Sequence, residues 1–219
     1  MDQKYISALS YDRLTPFYDV VVRLTTRETA FKKALVEQSE IELNQQVLDL
    51  ACGTGTLAVL IKKTMAQTVV SGIDGDAKIL EIAKRKAQKS GAEIEFDEGM
   101  SFALPYADES FDRVFSSLFF HHLTQENKLK TLREVFRVLK SDGELHVADW
   151  GLPANFLMRI ASRGIKLLDG TETTGDNFKG LLGSFIAESG FREVTETVHF
   201  NSLFGTIRLL KAKKKGEKI

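Results

Sequence analysis

From residue 46 onward the apolar positions switch regularly between two periods. "QVLDLA" is a short apolar run closed by glycine, and Thr56 to Met65 follows with helical spacing. "TVVSGID" is a second strand-like run, and Asp76 to Lys89 a second helix. The pattern repeats through "EIEFDEG" and "FDRVFSS" as third and fourth strands, then a helix over Glu126 to Lys140 with Leu129, Leu132, Phe136 and Leu139 on one face. Ser141-Asp142-Gly143 is expected to stop that helix, and "ELHVADW" forms a fifth strand. Strands alternating with helices of this length predict an α/β fold with a parallel sheet covered on both faces and sites at the carboxyl ends of the strands.

The ends of the chain differ. Residues 1–40 contain helical stretches, notably Thr26 to Gln38 with Phe31, Ala34 and Leu35 together, interrupted at Pro16, and read as a helical cover. Residues 153–189 read as helices separated by the glycine- and threonine-rich loop "DGTETTGDN", with 151–182 a candidate lid. "FREVTETVHF" and "LFGTIRLLKAK" read as an antiparallel pair closing the sheet, and 214–219 as a basic tail. The catalytic domain is thus expected over 41–213.

Composition narrows the class without naming a partner. The 219 residues suit one large domain, and 30 basic against 30 acidic residues give no field that would recruit nucleic acid. Cys52 is the sole cysteine, so no internal disulfide and no multi-cysteine metal site is expected. "MDQKYISALS" does not read as a signal peptide and no run reaches the ~18 apolar residues that span a bilayer, so a cytoplasmic protein is expected. A homodimer is compatible with the pattern, which fixes no oligomeric state.

The chemistry lies first in "VLDLACGTGTLA". A strand ending in Gly-x-Gly and opening into a helix brings backbone N–H groups and a helix dipole to a ligand. It satisfies the G-x-G-x-x-A form of the dinucleotide fingerprint, and Asp74 falls where a ribose-binding acid belongs. A triphosphate loop is excluded, because no G-x-x-x-x-G-K-[ST] occurs. Asp49, inside the strand, favours a ligand with an ammonium group over a pyrophosphate, which it would repel.

Together "VLDLACGTGTLA", "GIDGDAKILEIAKRKA", "LPYADESFDRVFSSLFFHH" and "REVFRVLKSDGELHVADW" resemble, in order and spacing, the motifs of class I S-adenosylmethionine-dependent methyltransferases. The resemblance covers roughly 45–150 and is nearest to the ubiquinone/menaquinone-biosynthesis methyltransferase-like group. It implies a doubly wound, Rossmann-like seven-stranded sheet with the last strand antiparallel, and S-adenosylmethionine as cofactor. It further implies that Asp49, Gly53 and Gly55, with backbone groups of Ala51 and Cys52, hold the methionine end. Asp74 would accept the ribose hydroxyls, Gly75 and Ile79 would lie near adenine, and the Ser117 carbonyl would meet the methionine amino group. Tyr18, with Tyr11 as a further candidate, would close over the carboxylate.

The family's Gly-Asp-Ala after the third strand is replaced here by Gly99-Met100-Ser101. The Met100 N–H, the Ser101 hydroxyl, apolar packing and Glu98 are alternative holders of adenine. Asp76 is expected as a helix cap, and Cys52 as a small turn residue.

Methyl transfer from a sulfonium is an in-line displacement, so alignment supplies much of the catalysis and only the acceptor needs a base. His121 and His122, after the fourth strand, and Asp149, ending the fifth, are the candidates, since both positions face one crevice in a parallel sheet. The alternative is that one histidine caps a helix and the other packs. Leu118, Phe119, Phe120 and Trp150 are either core or the lining of an apolar acceptor pocket. A small-molecule methyltransferase is the favoured reading. A nicotinamide-dependent oxidoreductase and a catalytically silent S-adenosylmethionine-binding protein are the alternatives, and no N-P-P-[YF] motif points to nucleic-acid bases.

Overall fold

The computed structural model describes residues 27–160, 171–202 and 205–215. Tyr11, Pro16 and Tyr18 lie outside these residues, as do part of the candidate lid and the end of the basic tail. Seven strands form one sheet: β1 (Gln46–Leu50), β2 (Val69–Asp74), β3 (Glu95–Glu98), β4 (Phe111–Ser117), β5 (Leu139–Trp150), β6 (Arg192–Asn201) and β7 (Thr206–Lys213). Their order is β3-β2-β1-β4-β5-β7-β6, with β7 antiparallel to both neighbours and the first five strands mutually parallel. The chain runs outward from β1 in one direction and, after β3, in the other. The topological switch therefore falls between β1 and β4, where open α/β sheets bind ligands.

Among the described residues the sheet is accompanied by α1 (Glu28–Glu37), α2 (Thr56–Thr64), α3 (Ala77–Ser90), α4 (Gln125–Val138), α5 (Thr171–Phe178) and α6 (Leu182–Glu188). The period of two along each strand divides the core. Leu48, Leu50 and Val114 pack with Leu132, Val135 and Phe185 on one face. Val47 and Phe115 pack with Phe31, Leu35, Leu57 and Ile61 on the other. Parallel strands covered on both faces are why β1 reads as a nearly unbroken apolar run.

Two expectations need correction. α4 ends at Val138, and Leu139 already pairs with Phe111 of β4. Ser141-Asp142-Gly143 is an irregular excursion within β5, held by Asp142 N–H to Lys214 O (2.8 Å) and Lys214 N–H to Gly143 O (2.9 Å). Asp142 takes the left-handed conformation there (φ 63°), so the residues that looked like a helix stop are spent on a bulge. The second correction concerns "DGTETTGDN", expected to be a loop, of which Thr171 onward is helical in α5. Its threonines and glycine are poor helix formers, and tertiary contacts outweigh them: Asn177 and Phe178 are buried, and Asp176 meets Lys128 of α4 at 4.0 Å.

Candidate active site

The turn after β1 needs left-handed residues at three alternate positions, Ala51 (φ 53°), Gly53 (φ 53°) and Gly55 (φ 73°). Gly55 is also where α2 presses on its neighbours. A Cβ there would stand 2.9 Å from Ala83 Cβ of α3 and 3.2 Å from Phe96 Cζ of β3. Gly53 is the opposite case, since a Cβ there would meet nothing within 4 Å. One glycine is required by packing and the other leaves space beside the turn.

Two carboxylates brace this turn. Asp49 shares the face of Val47, under α1 and α2, and is 1% exposed. Its Oδ2 accepts the Ala58 N–H at 2.9 Å, so it caps the first turn of α2. Burial pushes its carboxyl up to about 7, while the Lys32 ammonium and the Ala58 N–H pull the other way. The helix end that would face a pyrophosphate thus has one of its free N–H groups consumed by an acid. Asp74, at the end of β2, accepts Gly53 N–H at 2.9 Å and Asp76 N–H at 3.1 Å. Burial raises its carboxyl above the usual range, against the pull of those two N–H groups. Asp76 itself caps α3 through Lys78 and Ile79 N–H.

Around the adenine candidates the hydroxyl of Ser101 is paired with Thr131 Oγ1 at 2.9 Å, and Glu98 is exposed at the end of β3. Gly99 N–H donates to Asp74 O at 3.0 Å, tying the third strand's turn to the second's. Ile79 is buried against the core. Ser117 Oγ, at the end of β4, is buried with no hydrogen-bond partner among the described residues. Cys52 is buried, and burial together with Asp49 and Asp74 pushes its thiol up, which leaves it inert as a nucleophile.

Beyond β4 the backbone turns sharply at Leu118 (φ 54°), tied by its N–H to Ala148 O of β5 at 2.8 Å. The 3₁₀ turn Phe120–His122 follows. His121 Nδ1 lies 2.6 Å from Asp149 Oδ1, and the His121 N–H donates to Asp149 Oδ2 at 3.2 Å. Trp150 N–H adds a bond to Oδ1 at 2.7 Å. A carboxylate oxygen only accepts, so a hydrogen bond across this pair is donated by Nδ1. Both side chains are buried.

The His122 ring stands 3.9 Å from that of His121, and burial, followed by the neighbouring His121 ring, pushes it down to about 3, with Asp149 opposing. His122 is therefore neutral at physiological pH. Trp150 meets His121 edge-on at 6.5 Å, and Phe120 is wholly core. Leu118 and Phe119 are the partly exposed members of the set.

Sequence reasoning missed Lys128. It is fully buried, paired with Asp176, and pulled down by burial against the opposing charges of Asp176 and Asp149. Its place was readable, since Lys128 shares the 128, 132, 135 stripe of α4 with buried Leu132 and Val135. Lys86, whose Nζ meets Thr54 Oγ1 (2.8 Å) and Thr56 Oγ1 (2.7 Å) beside the glycine turn, carried no signal in the sequence.

The family described as "Methyltransferase domain" matches residues 47–143, the stretch that holds the glycine turn, Asp74 and the His121 turn. Over this stretch the chain is similar to S-adenosylmethionine-dependent methyltransferases. A demethylmenaquinone methyltransferase of Thermotoga maritima is 36% identical over 148 residues, covering 66% of this chain and 61% of that enzyme. One from Thermus thermophilus is 32% identical over 145 residues, 65% of each chain. These matches span less than two thirds of either relative. Among solved structures, YcgJ of Bacillus subtilis superposes with a TM-score of 0.70 at 19% identity, covering 84% of this chain and 98% of its own, which bears out the Rossmann-like α/β fold.

Proposed function

We propose that the protein transfers a methyl group from S-adenosylmethionine to a small-molecule acceptor whose proton is taken by His121. The observation that carries this reading is the buried His121–Asp149 pair standing at the carboxyl edge of the sheet, the edge that also bears the glycine turn and Asp74. The residues fit the cofactor. Gly53 leaves space beside the turn, Ser117 Oγ is an unpaired buried hydroxyl at the switch point, and Asp74 has acceptor capacity beyond Gly53 and Asp76 for ribose hydroxyls. Asp49 supplies negative charge near the cofactor's ammonium end.

Bound there, S-adenosylmethionine supplies a methyl group on a sulfonium, an electrophile whose leaving group needs no acid. The work of the chain is to align, to exclude water and to move one proton. Asp149 holds His121 with Nδ1 protonated, so Nε2 is the atom that accepts the acceptor's proton. Asp149 then steadies the imidazolium. His122, held neutral beside it, adds no competing positive charge. Relatives named demethylmenaquinone methyltransferases and the partly exposed Leu118 and Phe119 support an aromatic, quinone-like acceptor. The stretch 151–182 contributes to acceptor choice, with α5 standing over the His121 turn.

Calorimetric titration with S-adenosylmethionine, S-adenosylhomocysteine and NADH tests the donor. Micromolar binding of the first two and none of NADH is expected; binding of NADH alone would overturn the reading. Given an acceptor, His121→Ala and Asp149→Asn should each lower kcat by about 10²-fold or more with donor affinity nearly unchanged. Wild-type turnover in both variants would remove His121 from the mechanism, and donor binding without turnover on any aromatic acceptor would leave a binding protein.

A further inference from the structure

Among the described residues, buried polar atoms with no hydrogen-bond partner fall on Ser116, Ser117, Asn127, Glu144, His146 and Asn177. Two of these side chains answer each other, since His146 Nε2 stands 3.2 Å from Glu144 Oε2 in the first half of β5. The others lie toward the carboxyl edge of the sheet, at the end of β4, in the first turn of α4 and in α5. Asn177 is the extreme case. It is 1% exposed and neither its Nδ2 nor its Oδ1 has a partner, so one side chain leaves both a donor and an acceptor idle. A buried polar group in that state has given up the hydrogen bonds of water and gained none. Folded chains leave few such groups, and an amide orphaned at both ends points to a ligand that supplies what the fold does not.

The surroundings of Asn177 are those of the His121–Asp149 pair. α5 packs on the His121 turn and on β5. Asp176, the residue before, stands 4.0 Å from Lys128 of α4, whose ammonium also feels the Asp149 carboxylate. Phe178, the residue after, is buried in the core under α1 and α2. An ion pair on one side and packing on the other thus fix the stretch of α5 that carries the amide before any ligand arrives.

We propose that Asn177 selects the methyl acceptor, holding two adjacent oxygen groups of an aromatic ring beside His121. The inference rests on the methyl-transfer reading above and narrows its acceptor to one edge chemistry. The Nδ2–H donates to the oxygen whose proton His121 removes, and Oδ1 accepts from the hydroxyl next to it. The oxygen and nitrogen of an amide share one carbon, so together they serve neighbouring groups on a ligand. An acceptor with a single hydroxyl leaves Oδ1 orphaned, and a site built to bond a hydroxyl discriminates against the analogue that lacks it. No proton moves to or from the amide.

The test uses the full chain saturated with S-adenosylhomocysteine and two probes, tert-butylcatechol and para-tert-butylphenol, which differ by one hydroxyl. Calorimetry should show the catechol bound more tightly than the phenol by about tenfold or more. Asn177→Leu, apolar and of similar volume, should abolish that preference while S-adenosylhomocysteine binds as before. A purely structural role would move both probes together and leave their ratio intact. The free variant should also melt about 2–4 °C above wild type, because an apolar side chain replaces a buried amide that bonds nothing. A wild-type complex without preference for the catechol, or a preference that survives in Asn177→Leu, would overturn the proposal. So would a free variant that melts no higher than wild type, since the amide would then be bonded within the fold or through a buried water. Failure of S-adenosylhomocysteine to bind the wild type would strike the methyl-transfer reading itself, which sets that failure apart from the others.

Discussion

Asp49 shows at the scale of one residue how the site is built at the expense of stability. Its carboxyl lies up to about 7 in the fold against an ordinary 3.8, because burial disfavours the charge more than Lys32 and Ala58 favour it. A group whose pKa is raised on folding stabilises the native state below its unfolded value, and that contribution is lost as pH rises through the folded value. Asp49 should therefore cost the protein stability progressively between about pH 4 and pH 7. Asp49→Asn keeps an oxygen for Ala58 N–H without the charge, so its stability relative to wild type should rise between pH 5 and pH 8. The rise should amount to a few kcal/mol, on the order of the ~1.4 kcal/mol per pH unit of a shifted group. Urea unfolding at the two pH values measures it, and an unchanged difference would mean that Asp49 is ionised throughout. Under the proposed binding mode the same variant should bind S-adenosylmethionine more weakly, having lost a charge near the ammonium. Asp74→Ala should raise the donor Kd by about tenfold or more, the cost of hydrogen bonds worth ~1.5–3 kcal/mol. Unchanged calorimetric affinity in the folded variant would remove Asp74 from the ribose.

At the scale of the element, Gly55 sets how closely α2, α3 and β3 approach one another. Gly55→Ala forces a Cβ into a left-handed residue and to 2.9 Å from Ala83 Cβ. The conformation alone costs ~1–2 kcal/mol, and displacing α3 adds to it, so urea unfolding should show a loss of ~2–4 kcal/mol. A neutral substitution would mean that the turn relaxes. Elements whose period and caps agree were legible in the sequence: β1, β2, α2 and α3 lie where the apolar pattern put them, and Asp76 caps α3. What was not legible depended on contacts across the chain. "TETTGDN" has turn composition, and it is helical because Asn177 and Phe178 are buried and Asp176 reaches Lys128. "SDG" carries the chemistry of a helix stop, and only pairing of Leu139 with Phe111 makes it a bulge. In the site, the His121–Asp149 pair followed from positions at the ends of β4 and β5. Lys86 did not, since nothing local marks a lysine that will face a turn from another element.

For the whole molecule, the strand order joins these pieces into one response. The glycine turn, Asp74 and Ser117 sit on β1, β2 and β4, three adjacent strands spanning the switch, so a donor analogue bound there ties together elements that otherwise meet only through the sheet. Binding to the native state alone stabilises by RT ln(1 + [L]/Kd), ~2.7 kcal/mol at a hundredfold excess over Kd. S-adenosylhomocysteine at that excess should raise wild-type stability by this amount, and His121→Ala by the same amount. Asp74→Ala, at the same absolute concentration, should gain ~1.4 kcal/mol less if its Kd is tenfold weaker. Trp150, the only tryptophan, is buried 6.5 Å from His121 on the acceptor side. Its emission should change little with S-adenosylhomocysteine and more when an aromatic acceptor follows. A large change with the donor analogue and none with the acceptor would place the acceptor away from β5 and separate it from the His121–Asp149 pair.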